Sequence, residues 1–546
     1  MGGIIVEEIF LIALFVIYMM LVPASLHMIQ LQSYHTGEYW NWIIKNGKKV
    51  FKSGAKQLLI YLLGLFISFV ILKLFTSFNT IFVYWTCIGV LMLSFLIPNV
   101  MQIIKDKEER KNAKKPLKYT ARAKRLCFSN FLIMILLWTM FSEYIGNSLT
   151  SSILICSFLI FTLPVNMILA NFFIEPTETL INNHYINDAR RKLRKKDYKD
   201  LIRIGITGSY GKTSTKCILQ TILSEKYNVL ATPESYNTTM GNVRTIREKL
   251  MPEHQILIAE MGARKRFDIQ EICDFVRPQI GMITSIGPQH LETFKKIENV
   301  VKTKAELLSG MSESGVAFLP IDNEYCKELY EKEGHEKYSY GFNKNADVYA
   351  TDIKLSSEGS TFTVVAKNEK FSCTTKLLGE HNVLNIVGSI AIALQLGLNK
   401  DEIIKGVAKI EAVPHRLQII PGANGNIVID DAFNSNPVGS KMALDVLSKF
   451  EGRKIIITPG MVELGEKEFE LNKEFGKHMA SSVDIAILVG IKRSKPIEEG
   501  LKENGFDNNN IYVVSNLDEA TQRLSKLTKS GDVVLFENDL PDNYNE

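Results

Sequence analysis

The most specific chemical pattern in the sequence is a group of glycines followed by a lysine and a threonine. Gly205, Gly208 and Gly211 precede Lys212 and Thr213. Glycine lets a backbone approach an anion closely, and the N–H groups that open a following helix point at that anion with the favourable end of the helix dipole. The lysine ammonium neutralises terminal phosphates, and the threonine hydroxyl reaches the magnesium ion that accompanies ATP. The pattern predicts a loop that binds nucleotide phosphates.

Such a loop must lie between a strand and a helix, and the flanking residues fit this requirement. An apolar run at 201–207 predicts the strand, and Ser209 and Ser214 fall in the cradle between it and the first helical turn. The position that the general phosphate-loop pattern reserves for its first glycine is Ile206, which indicates a subfamily of these loops. The alternative is a glycine-rich turn with a surface lysine, and Gly-Lys-Thr at the start of a helical run argues against it.

Two further polar residues follow predicted strands. Glu260 ends the run 256–260, and His290 follows the run 281–286. A carboxylate and an imidazole are suitable magnesium ligands or orienting groups if the fold brings them beside Thr213. A single histidine in such a loop is more often a hydrogen-bonded surface residue, so this interpretation depends on the phosphate loop.

The chain of 546 residues is long enough for two or three domains, and its long apolar runs lie before residue 171. Five of these runs approach or exceed the roughly 20 residues that cross a bilayer. Met1 to Glu8 contains no basic residue, which argues against a cleaved signal peptide. We therefore expect membrane-spanning helices near 9–26, 57–75, 79–98, 126–146 and 151–170.

Charge predicts the orientation of these helices. The loops 45–56 and 105–125 are rich in lysine and arginine and should be cytoplasmic. This puts the N-terminus outside and everything after Phe172 inside, where ATP is available. The basic run 190–196 lies either against anionic headgroups or in solvent as a linker. The net charge of +5 is therefore a membrane signature and gives no reason to expect nucleic acid.

Beyond residue 200 the pattern is that of α/β domains. Strand-like and helical runs alternate up to residue 411, which predicts a mostly parallel sheet with an antiparallel appendage at 346–378. A second alternating unit predicts a smaller Rossmann-like domain, and ATP should lie in the cleft between the two domains. The predicted order is a transmembrane domain, a basic juxtamembrane linker, a central ATP-binding domain and a C-terminal domain, at 1–171, 172–200, 201–411 and 412–546.

These motifs resemble those of the Mur ligase family, most closely its MurF type, which adds D-alanyl-D-alanine to a UDP-muramoyl tripeptide. They occur in the family's order from residue 201 to about 490. The resemblance implies an α/β fold, with a P-loop central domain and a Rossmann-like C-terminal domain, behind an all-α transmembrane bundle of about five helices. The segments that carry it are 207–213, 260–263, 290–292, 304–306, 381–385, 415–417 and 430–437.

The resemblance implies a site for ATP and two magnesium ions. Lys212 and Thr213 would hold the phosphates and the first ion, Glu260 would reach the metals, and His290 would bind the second ion. Lys304 matches the lysine that the family carbamylates. An ammonium repels a cation, whereas its CO₂ adduct is an anion able to ligate magnesium. Without the family, an ordinary helical surface lysine would be the simpler interpretation.

Three residues match the family's contacts to the rest of the nucleotide. Asn385 corresponds to the asparagine on the adenine side, Arg416 to the arginine that reaches across the cleft to the phosphates, and Asp431 to the acid on the ribose side. Asn434 and Asn436 are expected to shape the same loop.

The implied activity is that of an ATP-dependent amide ligase. The terminal carboxylate of an acceptor attacks the γ-phosphate of ATP to give an acyl phosphate, and the amine of an amino acid or dipeptide then displaces phosphate. Lys212 and magnesium would neutralise charge on the phosphoryl group, and domain closure would exclude water.

The sequence departs from the MurF pattern in three places, and one of them is Lys295-Lys296, where the family has Gly-Ser after the His290 loop. The other two bear on the substrates. MurF-type enzymes begin with a soluble domain that grips the UDP end of the acceptor, but only the segment 171–200 separates the last membrane run from the phosphate-loop strand. After its last strand the family has Lys-Gly-Ser-Arg, whereas the segment 536–541 contains Glu537 and Asp539. The first of these two departures suggests a lipid-linked cell-wall precursor as acceptor, reached from the cytoplasmic leaflet. The second puts the amine in doubt.

Two other interpretations stay open. A membrane-attached ligase that builds poly-γ-glutamate or another capsule polymer would use a related nucleotide loop, although the run 430–437 favours the MurF type. A non-catalytic ATP-binding membrane sensor or transport partner is the alternative from another class. The intact set Lys212, Glu260, His290 and Lys304 argues against it.

Overall fold

The computed structural model describes two compact units. The residues described are 2–75, 80–111, 113–146, 148–289, 291–367, 369–422, 425–433 and 435–540. The units divide between Asn182 and Asn183, inside the segment predicted as a linker. We call the first the helical unit and the second the α/β unit.

The helical unit contains long apolar helices joined by short connections. Among the described residues, four segments are long and apolar enough to cross a membrane, and a fifth crossing results if one bent pair of helices counts as a single span. The helices are α1 Gly2–Leu31, α2 Thr36–Leu74, α3 Thr80–Lys111, α4 Ala121–Ile145, α5 Leu149–Phe161 and α6 Leu163–Leu193, the last of which ends in the α/β unit.

Burial distinguishes the inner helix of this unit from the outer ones. Half of the most apolar stretch of α1 is buried within the structure, compared with 22–28% of the corresponding stretches of α2, α3 and α4. The outer helices instead expose large apolar side chains, such as Phe66, Phe82, Leu93 and Phe128, each more than half exposed. Such a surface is unfavourable in water and suits a lipid environment.

The fifth predicted segment, 151–170, is not one straight helix. It breaks at Thr162, where α5 and α6 meet at an angle of 73°. Pro164 lies in the first turn of α6, and a proline lacks the N–H that would continue the hydrogen bonding of α5. The pair is therefore either a broken span or a re-entrant segment.

The segment predicted as a linker, 172–200, is mostly helical. α6 continues to Leu193 and is followed by a single 3₁₀ turn, Lys196–Tyr198, before the first strand. Ile186, Ala189 and Leu193 are buried in the same apolar cluster as Val243. The end of α6 is thus part of the core of the α/β unit.

The first sheet of the α/β unit has nine strands. Their bounds are β1 Ile202–Thr207, β2 Val229–Ala231, β3 Ile256–Glu260, β4 Ile280–Ile283, β5 Val316–Pro320, β6 Glu336–Gly341, β7 Val348–Ser356, β8 Gly359–Ala366 and β9 Glu369–Thr375. The order is β2-β3-β1-β4-β5-β6-β7-β8-β9, parallel from β2 to β7 and antiparallel beyond. The predicted antiparallel appendage therefore forms one edge of the parallel sheet.

Eight helices connect and cover this sheet in the described part of the chain. One of them, which follows β9, has eleven buried residues and packs across the middle of the sheet. Their bounds are α7 Lys212–Leu223, α8 Thr239–Lys249, α9 Asp268–Val276, α10 Leu291–Phe294, α11 Ile297–Ser309, α12 Glu324–Lys332, α13 Glu380–Gln395 and α14 Lys400–Ala408.

The second sheet has six strands. Five of them match the predicted Rossmann-like unit, and the sixth, an antiparallel edge strand directly after Leu417, was not predicted. The bounds are β10 Gln418–Pro421, β11 Ile427–Asp431, β12 Lys454–Thr458, β13 Ile485–Val489, β14 Ile511–Val514 and β15 Val533–Glu537, in the order β10-β11-β15-β12-β13-β14. The covering helices are α15 Pro437–Leu447, α16 Glu468–Ala480, α17 Lys495–Glu503 and α18 Leu517–Leu527.

Local signals in the sequence set the helix starts next to the strands. Asn436 caps α15 by accepting hydrogen bonds from the N–H groups of Val438 and Gly439 at 3.1 and 2.8 Å, and Pro437 fits the first turn. Asn399 and Glu402 form a capping box at α14. The predicted class, α/β domains behind a helical bundle, is confirmed.

α16 and α17 pack through glycines, which gives a test of the fold. A Cβ atom added at Gly500 would lie 2.0 Å from the carbonyl oxygen of Lys473, so Gly500→Ala must push the two helices apart. Overpacking of this kind costs about 1–3 kcal/mol. We expect a clearly lower Tm for the full-length protein in detergent. Gly334→Ala, at a glycine with open space around it, is the control, and an equal Tm for both variants would contradict the packing.

Candidate active site

The predicted phosphate loop joins β1 to α7. Gly211 precedes the helix with φ of 79°, a left-handed conformation that favours glycine, and no side chain caps the helix start. An added Cβ atom at Gly208 would lie 2.0 Å from Thr284 Oγ1, so the close approach requires glycine. Ser214 lies in the first turn. The opening N–H groups of α7 therefore remain available to an anion.

Gly205 has a different role from the one predicted. It lies inside β1, where an added Cβ atom would be 2.7 Å from Leu307 Cδ1 and 3.0 Å from Met261 Cε. Its missing side chain makes room for α11 against the strand, and it takes no part in the loop that follows.

The phosphate loop is tied to the loop after β4. The N–H of Ser209 donates to the carbonyl of Ser285 at 2.7 Å, and the Ser209 hydroxyl donates to the carbonyl of Gly287 at 3.0 Å. The Tyr210 hydroxyl donates to the carbonyl of Pro288 at 2.5 Å. Both the backbone N–H and the side chain of Ser209 are thus engaged by the loop after β4. His290, which follows on this loop, lies outside the described residues.

Lys212 folds back onto the phosphate loop. Its Nζ donates to the carbonyl oxygens of Gly208 at 2.7 Å and Ser209 at 3.3 Å. Burial lowers the pKa of Lys212 to about 8, with Glu260 opposing the shift and Arg416 adding to it. The ammonium therefore sits beside the loop with only backbone carbonyls as hydrogen-bond partners.

Glu260 is the centre of a buried hydrogen-bond network at the end of β3. Its Oε1 accepts from the Thr213 hydroxyl at 3.0 Å and from Asn237 Nδ2 at 3.2 Å. Its Oε2 accepts from Lys216 Nζ at 3.0 Å. Lys216 also donates to the carbonyl of Glu234. The carboxylate and the ammonium are both almost fully buried, and direct hydrogen bonds join α7, β3 and the loop after β2.

Sequence reasoning missed Lys216. It follows Lys212 by four residues and so lies on the same face of α7. The signal was present, because Thr215, Ile218, Leu219 and Ile222 on this helix are also buried. A lysine among such residues needs a buried acid, and Glu260 was the available candidate.

Lys304 lies on α11 and is 2% exposed. Burial lowers its pKa well below the ordinary value, the nearby Lys212 ammonium lowers it further, and Glu306 and Asp268 oppose the shift. The neutral amine is thereby favoured, and only a neutral amine can take up CO₂.

The donor set fits one magnesium ion. Thr213 Oγ1 and the Glu260 carboxylate lie together, and magnesium commonly binds one or two carboxylates together with substrate phosphates. A second ion would need the Lys304 carbamate and His290. No group of three or more histidine, cysteine, aspartate or glutamate side chains suitable for a metal occurs among the residues that the structure describes.

The loop that carries Arg416 is held by the two acids at the end of β11. His415 Nδ1 and Asp430 Oδ2 are 2.7 Å apart, and the N–H of Leu417 donates to Asp431 Oδ1 at 3.2 Å. His415 and Leu417 have φ of 61° and 48°, a left-handed conformation unusual for their residue types. The two acids therefore stabilise a strained loop that holds the arginine between them.

Arg416 comes close to the first sheet. Burial lowers its pKa, and Asp431, Glu260 and Cys217 oppose the shift, so the guanidinium lies within electrostatic reach of carboxylates from both sheets. The Phe433 ring centroid is 4.4 Å from its Cζ. Burial raises the pKa of Asp431 to about 6, which Arg416 opposes.

Asn385 completes this cluster. A Cβ atom built on Gly211 would lie 2.9 Å from Asn385 Oδ1, so α13 reaches the phosphate loop. Nearby, a cavity of about 780 Å³ lies between the start of α13 and the helices α15 and α16. These contacts and electrostatic interactions bring seven of the predicted site residues to one region. They are Lys212, Thr213, Glu260, Lys304, Asn385, Arg416 and Asp431.

Glu537 is a second residue that sequence reasoning did not place. It ends β15 opposite Asp431 and is 1% exposed. Its Oε2 accepts from the Thr458 hydroxyl at 2.8 Å and its Oε1 from the Ser435 hydroxyl. Burial raises its pKa to about 8, and Asp431 adds to the shift. A protonated carboxyl group therefore lies at the carboxyl end of β15 at neutral pH.

This shift predicts a dependence of stability on pH. The folded protein keeps a proton that the unfolded chain releases, so Glu537 lowers stability progressively as the pH rises from about 4.5 to about 8. Glu537→Gln removes this effect and should raise Tm relative to the unchanged protein by about 5 °C or more at pH 8, but not at pH 4.5. Glu466→Gln, at an exposed position, is the control for thermal unfolding at both pH values. If Tm depended on pH in the same way in the unchanged protein and in Glu537→Gln, the raised pKa of Glu537 in the folded protein would be contradicted.

Comparisons with known proteins agree with this arrangement. The Mur ligase middle domain matches residues 206–393, and the Mur ligase, glutamate ligase domain, matches residues 415–537. The chain is 30% identical over 334 residues to the UDP-N-acetylmuramoyl-tripeptide–D-alanyl-D-alanine ligase of Escherichia coli strain K12, a match that covers 60% of this chain and 73% of that protein. It is 28% identical over 337 residues to the enzyme of the same name from Bacillus subtilis strain 168, covering 61% and 72%.

Solved structures give the same result. MurF from Acinetobacter baumannii superposes with a TM-score of 0.61 at 26% identity, over 66% of this chain and 78% of that one. MurF ligase from Thermotoga maritima in complex with ADP gives a TM-score of 0.58 at 25% identity, over 66% and 80%. The phosphate loop, the Glu260 network and the arginine from the second sheet thus occur in a chain that belongs to the Mur ligase family, and it is an ATP-dependent ligase that forms carbon–nitrogen bonds.

Proposed function

We propose that this chain is a membrane-anchored, MurF-like ligase of cell-wall precursor synthesis. It would join an amino acid or dipeptide amine to the carboxylate of a lipid-linked, peptidoglycan-type acceptor. The observation that carries the proposal is the cluster of Lys212, Glu260 and Arg416 in a chain whose described part also has four or five segments long and apolar enough to cross a membrane.

ATP would bind with its phosphates at the start of α7. The opening N–H groups of the helix and the Lys212 ammonium would exchange backbone carbonyl and solvent contacts for phosphate oxygens. Arg416 would approach the phosphates from the second sheet. Asn385 lies beside the loop, and the cavity next to α13 has room for the base.

Thr213 and Glu260 would hold a magnesium ion, which neutralises charge on the phosphoryl group. Lys216 positions the Glu260 carboxylate from the opposite side. Because Lys216 already pairs with Glu260, the carboxylate is held in position before nucleotide binds.

The chemistry follows from these positions. The acceptor carboxylate attacks the γ-phosphorus, the bond to the β,γ-bridging oxygen breaks, and acyl phosphate and ADP form. The amine nitrogen then attacks the acyl carbon, phosphate leaves, and the nitrogen loses a proton to give the amide. Lys212 and Arg416 would stabilise the phosphoryl charge, and closure of the two domains would keep water from the acyl phosphate.

Lys304 is proposed to act as a carbamate. The neutral amine attacks CO₂, a nitrogen–carbon bond forms and a proton is released, which leaves an anion that together with His290 could hold a second ion. The lowered pKa of Lys304 supports this step, because an ammonium has no lone pair for it.

Lys304→Ala tests the carbamate. We expect turnover to fall by about 10²-fold or more, and to recover partly with added formate or acetate, which can occupy the space of the lost anion. Lys302→Ala removes an exposed lysine from the same helix and should leave turnover unchanged. Wild-type turnover in Lys304→Ala would exclude the role.

The membrane location is proposed from charge and connectivity. The segment 45–56, predicted as a loop, lies within α2, and 105–111 is the end of α3. The positive charge of the segments 45–56 and 105–125 favours the cytoplasmic side, and if the α5–α6 pair crosses the bilayer, the ligase domains are also cytoplasmic, where ATP is present. In the fully described stretch from α6 to β1 there is only one 3₁₀ turn, which leaves no room there for a domain that grips a soluble nucleotide-linked acceptor.

The acceptor can be tested directly. Purified full-length protein is given ATP, D-alanyl-D-alanine or single amino acids including glutamate, and a muramoyl peptide that is either UDP-linked or polyprenyl-linked. We expect amide formation with the polyprenyl-linked acceptor and little with the UDP-linked one. Equal or better use of the soluble acceptor would contradict the lipid-linked proposal, and phosphate release that does not depend on an amine would contradict the ligase assignment.

A further inference from the structure

A second cationic site lies in the α/β unit, away from the phosphate loop. It is a pocket of about 270 Å³ with the apolar side chains of Leu193 and Phe275 and the ring of Tyr198 among its walls. Five basic side chains surround it, namely Arg190, Arg194, Lys199, Arg203 and Arg277.

The charge of this pocket is not balanced from within. None of the residues that line it, all in the described part of the chain, is an acid. Arg190 Nη1 donates to Asn187 Oδ1 at 3.0 Å and Arg203 Nε donates to Gln279 Oε1 at 3.2 Å, both uncharged partners. Lys199 Nζ lies 3.8 Å from Asp200 Oδ2. Both side chains are exposed, so water and salt screen their attraction.

The arginines come from three different elements. Arg190 lies on α6, Arg203 near the start of β1, and Arg277 directly after α9, where it has φ of 49°. Arg203 and Arg277 line the same pocket. Burial lowers the pKa of Arg203, and the Arg277 guanidinium lowers it further, as expected for two like charges within electrostatic reach. Holding like charges together costs free energy that an anion would return.

This pocket is separate from the ATP site. Arg203 is at the amino end of β1, whereas the phosphate loop follows its carboxyl end at Thr207. A strand rises about 3.3 Å per residue, so the two sites are about 15–20 Å apart along the strand. The pocket cannot contact the phosphates of an ATP bound at α7.

We propose that this pocket binds the phosphate or diphosphate group of a second ligand. Guanidinium groups match phosphate oxygens in bidentate geometry, and the pocket offers four of them around a space suited to a small anion. The group could belong to a free phosphate or diphosphate or to the headgroup of an anionic lipid.

The structure also divides the basic run 190–196 in two. Arg190 and Arg194 line the pocket, whereas Arg191, Lys195 and Lys196 do not. This division supplies a matched control. The pocket variant carries Arg194→Gln and Arg277→Gln, which remove two exposed charges from the pocket without disturbing the core. The control variant carries Arg191→Gln and Lys195→Gln, which remove two exposed charges outside the pocket.

The test uses full-length protein in a neutral detergent, with the ATP site filled by a non-hydrolysable ATP analogue. Titration calorimetry with inorganic phosphate, inorganic diphosphate, short-chain phosphatidylglycerol and short-chain phosphatidylcholine gives the affinities. We expect at least one phosphate-bearing anion to bind the unchanged protein and the control variant equally, and to bind the pocket variant at least ten-fold more weakly.

The pattern of probes identifies the source of the phosphate. Binding of diphosphate or phosphate alone indicates a soluble ligand, and binding of phosphatidylglycerol but not phosphatidylcholine indicates an anionic lipid. Equal loss of affinity in the pocket and control variants, or no binding by any anionic probe, would overturn the proposal. Arg277→Gln alone, at an exposed position, repeats the test if the double variant does not fold.

Discussion

The ligase unit depends on one buried carboxylate. Glu260 is fully buried, and its two oxygens bind the Thr213 hydroxyl, the Asn237 amide and the Lys216 ammonium. An unpaired charge at this depth would cost much free energy of folding, so the carboxylate depends on its partners. The consequence is geometric, because α7 is fixed to β3 at the turn where the phosphate loop ends. The loop's shape follows from a salt bridge that itself need not touch a phosphate.

A second constraint acts across the two sheets. Parallel strands place their carboxyl ends at one edge, and both sheets carry polar residues there, Glu260 on the first and Asp431 on the second. Arg416 lies within electrostatic reach of both acids. The strained backbone on either side of it is stabilised by Asp430 and Asp431, so the arginine is positioned before any ligand arrives. Each sheet thus carries only part of the proposed phosphate site.

Much of this could be predicted from the sequence, for reasons that also explain the failures. Strands such as β12 and β13 are continuous apolar runs between helical segments, which is the usual pattern of buried parallel strands. The phosphate loop was predictable because its glycines and charges are local. β10 is an exposed edge strand without such a run, and the break at Thr162 depends on how one proline acts within a long apolar segment. Lys216 and Glu537 are defined by partners far away in sequence, Glu260 and Thr458, which only the fold brings near.

The two cationic sites at opposite ends of β1 differ in one physical respect. At the phosphate loop, Lys212, Lys216 and Arg416 stand near Glu260 and Asp431, so two acids offset most of the positive charge of that cluster. At the other end, Arg203 lies within electrostatic reach of Arg277, and none of the described residues that line their pocket is an acid. A site that exchanges ligand at every turnover benefits from balanced charge, because product must leave. A site with unbalanced charge holds its anion more persistently, which suits an anchoring or positioning ligand better than a substrate.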